Sequence, residues 1–421
     1  MRFAAAIFLL LLACRAESAT PVFALVDEFD REAAKPLWPG FDARTTPIEL
    51  YDGVNTYLYR HPAPPAEFKP VDSHPGFFVF AGRHESVRAN TSVELAGVTT
   101  ATLENANGTS AAVLVHECFH VFQAREHRFV GANEATLFTY PVDNPQALAL
   151  ARLEMEALSR ALSASEPACW VGRVRVLRKE RFALLPAEAV RYERDTELHE
   201  GLAQYVEGMA AGRNEVRFRQ FGPDEVRQRG YVAGEALARL LDRLDPDWKS
   251  KVTDSLDGLL PGSDASDCDF TVAERQVAET RARADVGKLE SERTGLIQAY
   301  DAQPGWRVTV ETVPGKPLWP DNFDPININR LSSRLILHER MLKLHNDAGS
   351  LDILNHGSMT EDAGSQPLMG GVRRWYTAGL SGKPAVEQDG ARVTVTGPGL
   401  KLAFSNADLE WHEQSLTVRL R

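Results

Sequence analysis

Two hydrophobic periodicities occupy successive blocks of this chain, and their order restricts the architecture more than any other feature. From about residue 45 to 103, short runs such as TPIELYD, NTYLYR, GFFVFAG and SVRANTSVELAGVTTATLE are separated by Gly, Pro and Asn breaks. Their aromatic and β-branched enrichment predicts a sheet. Helical spacing then takes over in AAVLVHECFHVFQAR, which follows the polar break NANGTS with Thr109 or Ser110 placed to cap it. The pattern continues through NPQALALARLEMEALSRAL, PAEAVRYERDTELHEGLAQYVEGMAAG and GYVAGEALARLLDRL, the last stopping at Asp245 and Pro246. After the break LPGSDASDCD comes a charged helical stretch over about 272–299. Strand-like runs then return as WRVTVETV, RLILHERMLKL, SLDILN, ARVTVTG, LKLAFSN and SLTVRLR. A sheet followed by helices predicts an α+β unit. The expected organisation is a mixed sheet, a motif-bearing helix with a helical subdomain, and a C-terminal β-sandwich-like domain. The corresponding boundaries are a leader over 1–19, a first domain over 20–262, a connecting helix over 263–300 and a β domain over 301–421.

With 421 residues, 43% of them hydrophobic and 25% charged, the chain can bury two cores. A formal net charge of -11 argues against nucleic acid or an anionic membrane surface as partner, because phosphate binding needs concentrated Lys and Arg. The segment MRFAAAIFLLLLACRAESA has one arginine, an apolar run from Phe3 to Ala13 and a polar stop. It reads as an export signal, too short to span a bilayer, with cleavage near Ala16 to Ala19. LLAC, ending at Cys14, offers a second route, lipidation of that cysteine, although Leu12 sits where such boxes carry a smaller or β-branched residue. No other run approaches membrane-spanning length. Export permits disulfides, and since Cys118 lies inside the histidine helix, Cys169 with Cys268 is the pair to test; free buried thiols are the alternative.

The chemistry concentrates in LVHECFHVFQ, residues 114 to 123. Residues four apart on an α-helix share a face, so the imidazoles of His116 and His120 can converge on one ion. Glu117 stands about 100° further round the axis, where its carboxylate can reach a water on the metal without ligating it. This is the H-E-x-x-H arrangement of metallopeptidases. The helix is apolar at Val113, Leu114, Phe119, Val121 and Phe122, so its polar residues need partners in a half-buried setting. A catalytic zinc would take a third protein ligand and leave one position for water.

HECFH, with TELHEGLAQYVEG downstream, resembles the gluzincin, thermolysin-like class of zinc metallopeptidases. In that class a second helix donates a glutamate, the first residue of an E-G-x-A-x-Y pattern. The resemblance implies Glu200 as third zinc ligand, with Ala203 and Tyr205 filling the remaining pattern positions, and covers about residues 75 to 250. It departs in the 79 residues between His120 and Glu200, far more than in the smallest members of the class. It also implies hydrolysis of a peptide or protein substrate. Zinc activates water, Glu117 is general base, and a Tyr or His from a following helix donates to the oxyanion; Tyr231, opening GYVAGEALARLL, is the candidate, ahead of Tyr205 and His199. An edge strand before the motif helix, here the one ending GVTTATL, would pair with the substrate backbone.

Other assignments stay open on the residues alone. Glu193, Glu197, Glu200, Gln204 and Glu207 share one helical stripe, which an exposed acidic face would also explain. Glu154 and Glu197 rival Glu200 for the third-ligand place; Glu154, on the apolar stripe of its helix, needs a cation, and an arginine suits it better than a metal. Two other functions fit the composition: an inactive exported metal-binding scaffold, and a zinc hydrolase acting on something other than peptides.

Overall fold

The computed structural model describes residues 22–88, 90–104, 109–126, 131–262, 265, 267–324, 327–363 and 368–421; the expected leader and Cys14 lie outside them. Alternation in the first block yields β1 (Ile48–Tyr51), β2 (Asn55–Tyr59), β3 (Lys69–Pro70), β4 (Phe77–Ala81), β5 (Thr91–Leu95) and β6 (Val98–Glu104). They form one sheet in the order β3-β4-β2-β1-β6-β5. β1 runs parallel to β6 and the other pairings are antiparallel. Period two puts Ile48, Leu50, Ala101 and Leu103 into the main core. There they join residues of two helices, α1 (Val22–Ala33) and α2 (Ala111–Arg125). α2 carries the histidines. Ser110 occupies its N-cap position with extended backbone but makes no side-chain cap, contrary to expectation.

The helical block comprises α3 (Pro145–Ser163), α4 (Ala168–Phe182), α5 (Ala187–Thr196), α6 (Leu202–Ala210), α7 (Val226–Leu244) and the short α8 (Trp248–Lys251). Asn144 caps α3 by accepting from the amides of Gln146 and Ala147, with Pro145 in the first turn. α5 and α6 are one continuous helix interrupted by a π turn over Glu197–Gly201. α4 was not foreseen. Its sequence reads as polar, yet Arg173, Arg178 and Arg181 are buried. The charged stretch forms α9 (Val272–Asp301), started by a Thr271–Glu274 capping box. Instead of only connecting, α9 lies on α3: Ala282 and Val286 pack with Leu148 and Ala149, and Arg152 reaches Asp285 at 2.6 Å. Cys169 and Cys268 form a disulfide, which ties α4 to the segment before α9, and Cys118 is a buried free thiol.

The C-terminal runs build a seven-stranded and a six-stranded sheet. Trp306–Glu311 lies parallel to the final strand, Ser415–Leu420, while the six-stranded sheet is antiparallel throughout its described pairings. Val308, Ile336 and Trp375 of one sheet share a core with Leu344, Ile353 and Phe404 of the other. RLILHERMLKL, expected as one strand, is two. Leu335–His338 belongs to the seven-stranded sheet and Met341–Asn346 to the six-stranded one, so the chain changes sheets at Glu339 and Arg340. The molecule is therefore α+β, with three mixed or antiparallel sheets. Among the described residues no helix is long and apolar enough to cross a membrane.

Candidate metal centre

α2 is buried almost all round. His116 is 6% and Glu117 5% exposed, so neither can satisfy its polar atoms with bulk water. The Nε2 atoms of His116 and His120 lie 3.1 Å apart. Glu200 Oε2, from the π turn, lies 3.7 Å from the first and 3.3 Å from the second. These three are the residues among those described whose donor atoms cluster closely enough to hold a metal ion.

The partners of the other ring nitrogens define what the cluster can bind. Gln123 donates its amide nitrogen to the carbonyls of Leu198 and His199 at 3.2 and 3.1 Å, which turns its oxygen to His120 Nδ1 at 2.8 Å. Glu207 Oε2 faces His116 Nδ1 at 3.2 Å and is itself held by Arg213. Both Nδ1 atoms therefore carry protons, and both Nε2 atoms turn lone pairs toward one another and toward a carboxylate. Three electron-rich atoms converge there, and a cation at their centre removes the repulsion. Nitrogen and oxygen ligands about 2.0–2.1 Å from a tetrahedral zinc stand about 3.3 Å apart, and the three separations here bracket that value. The residues present thus fit the metal. Electrostatics agree. Burial opposes a charge on His116, but its hydrogen bonds to Glu200 and Glu207 outweigh it and raise its pKa to about 9, so without a metal a proton on this ring supplies the positive charge that the site draws in. Burial likewise opposes the Glu200 carboxylate, yet the two histidines hold its pKa far below the usual range.

Local backbone geometry explains why Glu200 is the carboxylate that arrives. A π turn takes up an extra residue, so side chains on either side of it leave the common α-helical stripe. Glu193 and Glu197 turn away into a buried ionic cluster. Glu197 accepts two bonds from Arg178 at 2.8 and 2.7 Å, Glu154 takes Arg178 and Arg181 at 2.8 and 2.9 Å, and Glu193 takes Arg181 and Arg229. Neither Glu154 nor Glu197 is a ligand here, and the cation that Glu154 required is arginine. The exposed acidic face does not exist, since Glu193 and Glu197 are buried and Glu200 and Glu207 are bonded at the site.

α7 passes the π turn backbone to backbone. A Cβ on Gly234 would meet the Glu197 carbonyl oxygen at 2.5 Å, one on Gly201 the Gly234 Cα at 2.5 Å, and one on Gly230 the Thr196 Cγ2 at 2.6 Å. This approach brings Tyr231 and Arg227 to the centre. Tyr231 sits in the second turn of α7, which begins at Val226, and does not open the helix as expected. Its hydroxyl reaches Glu200, and burial together with Glu200 pushes its pKa well above the ordinary tyrosine range, so it remains a donor. Arg227 binds the other Glu200 oxygen at 2.7 Å and Glu134 at 3.1 Å. Glu117 has a buried carboxylate oxygen, Oε2, without a hydrogen-bond partner among the described residues. Burial raises its pKa, and His116 and His120 work against that rise. His199 stands with its ring 4.2 Å from that of His120; burial and that neighbour lower its pKa to about 4, so it is neutral. Tyr205 takes no part, because its hydroxyl is spent on Asp242 at 2.8 Å.

Sequence reasoning missed Gln123, Glu207 as a histidine partner, and Arg227. Helical spacing carried a signal for each: Gln123 lies three residues past His120, Glu207 seven past Glu200, and Arg227 four before Tyr231. The expected edge strand before the motif helix is overturned as well. β6 is not an edge strand, because β1 and β5 flank it, and the open edge on that side belongs to β5. Compared with models of known families, with curated proteins and with solved structures, the chain matches none.

Proposed function

We propose that this protein is an exported zinc-dependent metallopeptidase that hydrolyses peptide bonds in extended polypeptides. The reading is supported above all by one observation: a buried, unpartnered oxygen of Glu117 stands beside three convergent donors on His116, His120 and Glu200. A purely structural metal site gives no reason to leave a desolvated carboxylate oxygen unpaired next to its ligands. Zinc held by these three residues would supply Lewis acidity to the attacking water and to the scissile carbonyl. Glu117 accepts the proton of that water as its oxygen bonds to the carbonyl carbon. The raised basicity that burial confers matches the task. Tyr231, protonated across the neutral range, donates to the developing oxyanion. Glu117 then passes the proton to the leaving nitrogen, the C–N bond breaks, and a carboxylate and an amine depart. The outer edge of β5 suits pairing with an extended substrate backbone. The C-terminal sheets, stacked on a common core, are read as a sandwich-like unit serving the catalytic part. The decisive experiment compares wild type with Glu117→Gln for zinc content and for hydrolysis of an unstructured protein. Zinc should be retained while turnover falls about 10²–10⁴-fold; undiminished turnover would remove the proposed base.

A further inference from the structure

A cavity of about 540 Å³ lies between α9, the turn Glu134–Phe138 and the C-terminal sheets, within the size range of ligand pockets. Its apolar walls include Leu137, Phe138, Leu289, Leu296, Ile328 and Met369. Two of these are unusually exposed for large apolar side chains, Leu296 at 43% and Met369 at 41%. Among these walls stand two arginines. Arg293 lies on the same face of α9 as Leu289 and Leu296 and makes no hydrogen bond or ion pair among the described residues; Asp224 and Asp143 attract it only from beyond ion-pair distance. Among the described residues Arg330 donates only to carbonyls, those of Ser332 and Tyr140, while Asp143 and Asp362 attract it from beyond ion-pair distance. The two cations also repel each other, and burial disfavours both charges. The other acidic groups of the lining are committed: Glu134 to Arg227 and Tyr192, Glu292 to Lys288.

Glu134 lines the cavity and also holds Arg227, the arginine that binds Glu200, so the cavity wall and the metal centre stand on either side of that side chain. Two hydrogen bonds in series across one guanidinium put that wall on the order of 10 Å from Glu200, about three residues of extended chain at about 3.3 Å each. We propose that this cavity receives the C-terminal residue of the peptide substrate, its apolar side chain on the hydrophobic walls and its free carboxylate on Arg293 and Arg330. Both halves of that residue are needed to account for the pocket: an acidic side chain would leave the apolar walls uncovered, and an internal apolar residue would leave the arginines unpaired. The assignment rests on the peptidase reading and narrows it to removal of a short peptide from the substrate's C-terminus.

The test measures binding, so it does not depend on turnover. A dye-labelled octapeptide ending in phenylalanine, as free acid and as C-terminal amide, is titrated by fluorescence anisotropy against zinc-loaded full-length Glu117→Gln protein. The free acid should bind about tenfold tighter than the amide, the scale of one charge-assisted contact. Adding Arg293→Gln should bring the acid to the affinity of the amide without altering the latter. Leu296→Asp, at an exposed position, should weaken the acid selectively by placing a like charge beside it. Equal affinity of acid and amide, or an unchanged difference in either variant, overturns the assignment. Absence of hydrolysis in wild type, with the acid preference intact, would instead count against the peptidase reading alone.

Discussion

Gln123 and Glu207 decide which nitrogen of each histidine is free, and so which atoms can meet a metal. Removing either acceptor releases the tautomer and ring orientation it imposes. Gln123→Ala and Glu207→Ala should each weaken zinc binding about 10–100-fold, read by competition with a chelator; affinities equal to wild type would show that the rings need no such support. Glu200→Ala should lose stoichiometric zinc outright. Glu154→Ala makes the informative contrast. It leaves Arg178 and Arg181 buried with an incomplete set of partners, at a cost of about 3–5 kcal/mol, while zinc remains bound to the folded protein. Melting temperature and metal content, measured on the same sample, separate the two effects.

At the scale of elements, the centre depends on how closely α7 can approach the π turn. Only glycine permits that approach at positions 201 and 234, where an added Cβ would sit 2.5 Å from backbone. Gly234→Ala should therefore destabilise by about 1–3 kcal/mol and lower zinc affinity, because Glu200 moves with the turn. Gly287→Ala on α9 is the matched control. Nothing lies within 4 Å of its Cβ, so removal of a helix-weakening glycine should raise stability by up to about 1 kcal/mol. A Gly234→Ala protein as stable as this control would refute the close-packing argument. Much of the element order was readable: the sheet block, α2, α3 and α9 follow from periodicity and the breaks between runs. α4 was not, because its arginines look like surface residues until Glu154, Glu193 and Glu197 are known to surround them. The strand break at Glu339 and Arg340 was also hidden, since strand-like apolar residues resume directly after the short polar run His338-Glu339-Arg340, with no Gly, Pro or Asn to mark where the chain changes sheets.

For the whole molecule, two conditions probe how the parts are tied. The Cys169–Cys268 bond closes a separation of 99 residues, so reduction should cost about 2–5 kcal/mol through the entropy of the unfolded chain. Thermal melts with and without reductant measure it; coincident curves would mean the bond constrains nothing. The ionic cluster sets a limit on acid stability. Burial opposes the charge on Glu193, yet Arg181 and Arg229 lower its pKa from 4.5 to about 2. Its contribution is then complete above about pH 4.5 and is lost as the pH falls toward 2. Glu193→Gln should flatten denaturant-measured stability across that window. A wild-type curve that is already flat there would contradict the assigned shift.

The amino-acid sequence by itself determined the part of the centre that is local. Two histidines four apart on a helix share a face whatever surrounds them, because helical geometry is set within one turn. The succession of periodicities likewise determined that sheet, helices and sheets would follow in that order. Which glutamate completes the site was decided only by the tertiary structure. Five acidic or amide residues fall on one stripe of an ideal helix, and a single π turn, held against α7 by glycines on both sides, divides the four glutamates among them between an arginine cluster and a pair of imidazoles. That choice depends on contacts between segments distant in sequence, whose energies no local pattern records.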